Sequence, residues 1–205
     1  MGGYFSRGSN VSHPRPLRIL ALHGDHQWPA RFKSQLSKID MALEGAATFD
    51  FVAAPHKAAT KGRSGHYGRQ WILEEFNLGR GEAQQRAEHE RWTVSLNLLL
   101  THISKHGPYD GLLGYSMGTA AATCLLAAFP DGSLPFRFVA LFSGYAPGAH
   151  VQLMQTLEAR KPLRIPSLHV FGTNDSVVPG HCAPSSRPQR PCRASFLRAT
   201  PALPP

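Results

Sequence analysis

The stretch "GLLGYSMGTAAATCLLAAF", residues 111–129, decides the architecture of this chain. Its first residues form a short apolar run typical of a buried strand, and its last residues are small and helix-forming. Between them, "GYSMG" at residues 114–118 fits G-x-S-x-G, in which the glycines permit a sharp turn. The order predicts a strand over residues 111–115, a turn carrying Ser116, and a helix over residues 116–129.

Ser116 has two interpretations at such a turn. As a nucleophile, its hydroxyl would project above the sheet, where helix amides and the helix dipole stabilise a developing oxyanion. As a structural residue, it would only cap the helix. The apolar strand before it and the helical segment "GTAAATCLLAAF" after it favour the nucleophile.

Apolar runs alternate with amphipathic segments along the rest of the chain, which predicts a mostly parallel sheet covered by helices on both faces. Strands are predicted over residues 18–23, 49–53, 111–115, 136–142 and 167–171, and helices over residues 29–43, 82–106, 116–129 and 149–159. The chain has 205 residues, of which 42% are hydrophobic, enough for one substantial core. We therefore expect a single folded domain.

Composition argues against several classes of function. The net charge is +9, but four arginines and no acid lie in residues 179–205, and no basic stripe follows a predicted helix. We expect no nucleic-acid partner. Cysteines stand at only three positions, with neither a disulfide framework nor zinc-ligand spacing, so we expect reduced thiols and no metal.

No apolar stretch is long enough for a transmembrane segment, and no apolar signal-peptide core follows Met1, so a cytoplasmic location is expected. Residues 1–6 fit M-G-x-x-x-S, a weak myristoylation signal at Gly2. Oligomeric state is not predicted.

Two further segments carry chemistry. "LHGDH" at residues 22–26 ends the first strand, and a backbone N–H near Asp25 is predicted to join that of Met117 as an oxyanion donor; an ordinary loop is the alternative. His23 is predicted to be a hydrogen-bonded structural histidine. "FGTND" ends at Asp175, which follows Ser116 where the orienting acid of a serine-acid-histidine order falls, unless it forms only an Asx turn.

These segments together carry a resemblance to a known family. They are "RILALHG" (18–24), "GPYDGLLGYSMG" (107–118), "FVALFSGYAP" (138–147) and "PSLHVFGTNDSVV" (166–178). The chain resembles the FSH family of small eukaryotic serine hydrolases, within the α/β-hydrolase superfamily.

The resemblance implies hydrolysis of carboxylic esters or thioesters of acyl chains, small-molecule substrates, without a cofactor. It implies Ser116 as nucleophile, Asp175 as acid, and the N–H groups of Asp25 and Met117 as the oxyanion site. The hydrolase domain is expected over residues 18–178, after a flexible tail over residues 1–17.

The predicted general base is where this chain departs from the pattern. Such hydrolases place a histidine roughly 25 to 30 residues beyond the acid, after one further strand. Residues 179–205 hold seven prolines and no strand pattern, and His181 is the one histidine after Asp175. We expect an irregular Pro/Arg-rich tail, a missing last strand that leaves the strand ending at Phe171 at an exposed sheet edge, and impaired hydrolysis.

His181 is a weak candidate for the base, and His26 is a more remote one. The alternative function is a non-catalytic module that binds an acyl ligand or a partner protein with the same pocket.

Overall fold

The computed structural model describes residues 15–62, 65–72, 82–129, 133–144 and 165–172. In chain order the elements are β1 Leu17–Leu22, α1 Pro29–Ala42, β2 Ala47–Val52, β3 His56–Lys57, β4 Arg69–Gln70, α2 Glu82–His106, β5 Gly111–Tyr115, α3 Met117–Ala128, β6 Phe138–Phe142 and β7 Ser167–Val170. Each of the five predicted strands is present, with its ends shifted by at most two residues. The helix predicted over residues 149–159 lies outside the described residues.

The strands other than β3 and β4 form one parallel sheet in the order β2-β1-β5-β6-β7. The chain moves from β1 to β2 on one side and later to β5 on the other, so the sheet has a topological switch point between β1 and β5. Ligands of open α/β sheets bind outside the carboxyl ends of strands at such a point. Leu22 pairs with Gly114 there, and Tyr115 with Phe142, so the loops after β1, β5 and β6 meet.

Alternate residues of the strands face opposite layers of helix, as the period of two requires. Leu20 and Leu112 pack with α2 and α3 in one buried cluster. Ile19 and Leu113 pack with α1, through Phe32, in a second cluster on the other face. The prediction of helices on both faces is therefore confirmed.

Asp110 joins three strands at the amino end of the sheet. Its carboxylate accepts two hydrogen bonds from Arg15, at 2.7 and 3.0 Å, and one from the backbone N–H of Arg18 at 2.9 Å. Arg137 approaches at 3.5 Å. The hydrogen bond from Arg15 is the largest of the effects that lower the Asp110 pKa to about 2. Asp110 lies at the end of β5 opposite Ser116, so it holds the sheet together away from the candidate site.

β7 forms the edge of the sheet in the described part of the chain, opposite β2. Leu168 is 56% exposed, and Val170 and Phe171 are each 38% exposed. The strand that ends near Phe171 thus presents apolar side chains to solvent at a parallel edge. Across the described ranges, no helix combines the length and the apolar character needed to cross a membrane.

Candidate active site

Ser116 occupies the turn between β5 and α3 in a strained conformation. Its φ of 51° and ψ of −120° lie in a region that residues with a side chain rarely adopt. Its N–H donates to the carbonyl of Phe142 at 2.9 Å, and its carbonyl accepts from the N–H of Thr119 at 2.8 Å. These two bonds hold the strained residue between β6 and the first turn of α3.

The hydroxyl of Ser116 is not used to cap the helix. Ser116 stands at the N-cap of α3, yet its side chain makes no capping hydrogen bond. The first amides of a helix, here beginning with Met117, have no intrahelical acceptor and carry the positive end of the helix dipole. The half-buried side chain of Ser116 therefore lies at the amino end of α3 without capping it, and the geometry argues against capping as its role.

Glycines bring three segments into direct contact around this turn. A β-carbon added to Gly24 would lie 3.2 Å from the Ser116 β-carbon, and one added to Gly118 would lie 2.1 Å from the carbonyl oxygen of Leu22. One added to Gly114 would lie 2.7 Å from the carbonyl oxygen of Gly118. The loop after β1, the turn at Ser116 and the start of α3 pack this closely only because these positions lack side chains.

The loop after β1 is held in shape by side-chain hydrogen bonds. Gly24 donates its N–H to the Gln27 side-chain oxygen at 3.0 Å, and the Gln27 amide donates to Gln35 of α1 at 3.0 Å. Because the Gly24 N–H is occupied, the next amide along the loop, that of Asp25, is the better candidate for an oxyanion donor.

Asp25 is fixed by two neighbours. Its carboxylate accepts from the Gln70 side-chain amide at 2.9 Å and lies 2.7 Å from Nδ1 of His26. His26 itself has a φ of 53°, and its Nε2 lies 3.2 Å from the hydroxyl of Thr60. Both ring nitrogens of His26 therefore have partners other than Ser116, so this conformation does not present His26 as a base.

His23 is a structural histidine, as its position in the strand predicts. Its Nδ1 donates to the carbonyl of Gly24 at 2.7 Å, and its Nε2 accepts from the N–H of Ala54 at 3.1 Å. The Trp71 indole N–H donates to the His23 carbonyl at 2.9 Å. The side chain is fully buried, and this burial lowers its pKa to about 4. The neutral imidazole of His23 thus stabilises the loop that contacts Ser116.

The buried neutral state of His23 predicts a pH-dependent stability. An unfolded His23 titrates near 6.5, and a folded one near 4, so the unfolded chain binds more protons between these values. The free energy of unfolding should therefore be intact above about pH 6.5 and fall by about 3 kcal/mol as the pH approaches 4. Urea unfolding across this range should show a smaller fall for His23→Gln than for the wild type.

The same substitution at the exposed residue His66 is the matched control. The fall in the free energy of unfolding between pH 6.5 and 4 should be as large in His66→Gln as in the wild type. If the free energy of unfolding of the wild type depended on pH as weakly as that of His23→Gln, the neutral buried state of His23 would be contradicted.

Two of the predicted site residues, Asp175 and His181, lie outside the described residues, as does Gly2. The sequence analysis missed Gln27 and Gln70, the side chains that shape the loop after β1. No signal in the sequence marks Gln70, because β4 is two residues long and shows no periodicity.

Comparisons with known proteins identify the family of this chain. A family model described as "Serine hydrolase (FSH1)" matches residues 11–185. The human protein named esterase OVCA2 is 30% identical in an alignment that covers 89% of this chain and 96% of the human protein. The Bos taurus protein of the same name is 32% identical in an alignment that covers 88% of this chain and 95% of the bovine protein.

Solved structures show the same fold at lower identity. The crystal structure of Zea mays acyl-protein thioesterase 2 is 19% identical, with a TM-score of 0.57, and the match covers 82% of this chain and 75% of that one. The crystal structure of esterase PE8 is 22% identical, with a TM-score of 0.54, and the match covers 80% of this chain and 72% of that one. The fold is that of the α/β-hydrolase esterases, and the chain belongs to the serine hydrolase (FSH1) family.

Proposed function

We propose that this chain acts on carboxylic esters or thioesters of acyl chains, with Ser116 as the nucleophile. The observation that carries the proposal is the strained turn at Ser116, whose hydroxyl makes no capping bond and whose neighbour across the turn is Gly24. Strain at a non-glycine residue persists only where the surroundings enforce it, and such residues cluster at functional sites. The human relative's name, esterase, supports an ester as substrate.

The proposed chemistry uses the positions around the turn. The Ser116 hydroxyl oxygen attacks the substrate carbonyl carbon and gives its proton to a base, forming a tetrahedral oxyanion. The N–H groups of Asp25 and Met117 would stabilise that oxyanion. The bond to the alcohol or thiol then breaks, and the leaving group takes the proton from the base. Water, deprotonated by the same base, hydrolyses the acyl-enzyme and releases the acid.

Removal of the Ser116 proton by a base is the step that we expect to be slow in this chain. Asp175 is proposed to orient an imidazole, and the one histidine that follows it in the 205 residues is His181, six positions on. His26, the more remote candidate, has both ring nitrogens engaged. We therefore propose that Ser116 is placed for attack but weakly activated.

A fluorophosphonate probe tests the nucleophile without requiring turnover. Prolonged incubation of the purified chain with excess probe and added imidazole, an external base that offsets the weak activation of Ser116, should give a single covalent adduct, which peptide mass spectrometry maps to Ser116. Ser116→Ala should give no adduct, because the proposal assigns the reactive hydroxyl to Ser116 alone. Ser143→Ala is the matched control, since Ser143 also has a positive φ, of 47°, but lies outside the G-x-S-x-G turn.

An adduct that persists in Ser116→Ala would overturn the assignment. A correctly folded wild type that never forms the adduct would favour the alternative function, a module that binds an acyl ligand or partner without catalysis. Circular dichroism of both variants establishes that the fold is retained.

A further inference from the structure

A groove of about 500 Å³ lies beside the loop after β1. It is lined by His26, Trp28, Arg31, Lys57, His66 and Tyr67. This volume is within the range of small-molecule sites. The groove begins at His26, two residues beyond Gly24, which is the residue packed against Ser116. The groove therefore adjoins the loop that contacts the proposed nucleophile.

The β3–β4 hairpin, which forms part of the groove, packs against the loop after β1. β3 pairs with β4, and the Arg69 N–H donates to the Gln27 carbonyl at 3.1 Å. A β-carbon on Gly68 would lie 2.1 Å from the backbone of His26, so the hairpin packs directly on the loop. The groove is thus held at a set position relative to the loop that contacts Ser116.

The groove is positively charged. Arg31 and Lys57 line it, and Lys61 stands at the same wall, with its Nζ 5.9 Å from the Tyr67 ring centroid. The Nζ of Lys57 lies 5.1 Å from the same centroid. An aromatic ring holds a cation in place but leaves its charge, whereas a carboxylate would hold the cation and also neutralise it.

Few acids offset this charge. Within the part of the chain that the structure describes, no carboxylate lies within salt-bridge distance of Arg31, Lys57 or Lys61. The acid nearest in the loop, Asp25, is already bound to His26 and Gln70. No described carboxylate therefore competes with an external anion for these cations.

Two aromatic side chains give the groove an apolar surface as well. Trp28 and Tyr67 are each 45% exposed, which is high for rings of this size. The Trp28 indole donates to the Tyr67 carbonyl at 3.2 Å, and the Arg69 guanidinium lies 4.8 Å from the Trp28 ring centroid. Exposed rings beside cations that have no carboxylate partner among the described residues suit a ligand with an apolar part and an anionic group.

We propose that this groove binds the anionic end of the substrate, a phosphate or carboxylate carried by the acyl ester or thioester. The scissile carbonyl would lie at Ser116 while Lys57, Lys61 and Arg31 hold the anion. The inference rests on the proposed function, since it assigns the specificity of that same site.

Binding to the Ser116→Ala variant tests the groove without turnover. The probes are octyl phosphate, octanoate and the neutral octyl glucoside, each below its micellar concentration. Fluorescence reports on the groove because Trp28 is exposed there while Trp71 and Trp92 are buried. Octyl phosphate or octanoate should bind about tenfold more tightly than octyl glucoside, and added salt should weaken only the anions.

Paired substitutions locate the binding. Lys57→Gln with Lys61→Gln should weaken anion binding about tenfold and leave octyl glucoside unchanged. Lys38→Gln with Lys105→Gln removes the same charge from exposed positions outside the groove and should change neither. Tighter binding of octyl phosphate assigns a phosphate as the anion, and tighter binding of octanoate assigns a carboxylate.

Equal affinity for the anions and the glucoside would overturn the inference, as would equal losses in the two double variants. Either result would leave the fluorophosphonate adduct at Ser116 unaffected. Failure of the groove and failure of the nucleophile are therefore separate outcomes.

Discussion

Replacing Gly118 by alanine is expected to destabilise the protein by about 3 kcal/mol or more, although Gly118 lies in a helix. The added β-carbon would lie 2.1 Å from the carbonyl oxygen of Leu22 and 2.7 Å from that of His23. Both oxygens belong to the backbone at the end of β1, which the sheet prevents from moving. Helix propensity alone predicts the opposite sign, a gain of about 1 kcal/mol. Urea unfolding of the two proteins decides between them.

Gly45→Ala is the control for this measurement. Gly45 has a φ of 81° and no heavy atom within 4 Å of an added β-carbon, so only backbone strain of about 1 kcal/mol is expected there. A Gly118→Ala variant that is as stable as the wild type would show that α3 does not pack on β1 as closely as described. The contact of Gly24 with Ser116 would then be in doubt as well.

Hydrolysis of p-nitrophenyl acetate by this 205-residue chain is expected to be near background. Removing the base from a serine triad lowers turnover about a millionfold, or about 8 kcal/mol of barrier, so a Ser116 as weakly activated as proposed would retain little activity. Ser116→Ala should remove what remains, and His181→Ala should leave the rate unchanged. A serine esterase that hydrolyses p-nitrophenyl acetate, assayed at the same concentration, serves as the positive control.

Robust wild-type turnover would contradict this expectation in one of two ways. If His181→Ala abolished it, the short segment after Asp175 would deliver the imidazole after all. If turnover survived His181→Ala and was lost in His26→Ala, the loop after β1 would release His26 from Thr60 to serve as the base.

The sequence by itself determined the local elements of this protein. The helix over residues 82–106 and the strand over residues 111–115 have the predicted bounds, because periodicity and apolar runs are properties of neighbouring residues. The resemblance to the serine hydrolase family was also readable, since its motifs are contiguous segments. The turn at Ser116 follows from one pentapeptide between a strand and a helix.

Tertiary structure decided which residues of those elements contact one another. Only packing shows that the Ser116 hydroxyl does not cap α3, that Gly24 touches the turn, and that His26 is engaged by Asp25 and Thr60. The groove depends in the same way on contacts between distant segments, with Trp28 beside Tyr67 across 39 positions of sequence. Such contacts leave no periodic signal, because they arise when the chain folds back on itself and each partner is chosen by shape and charge in space.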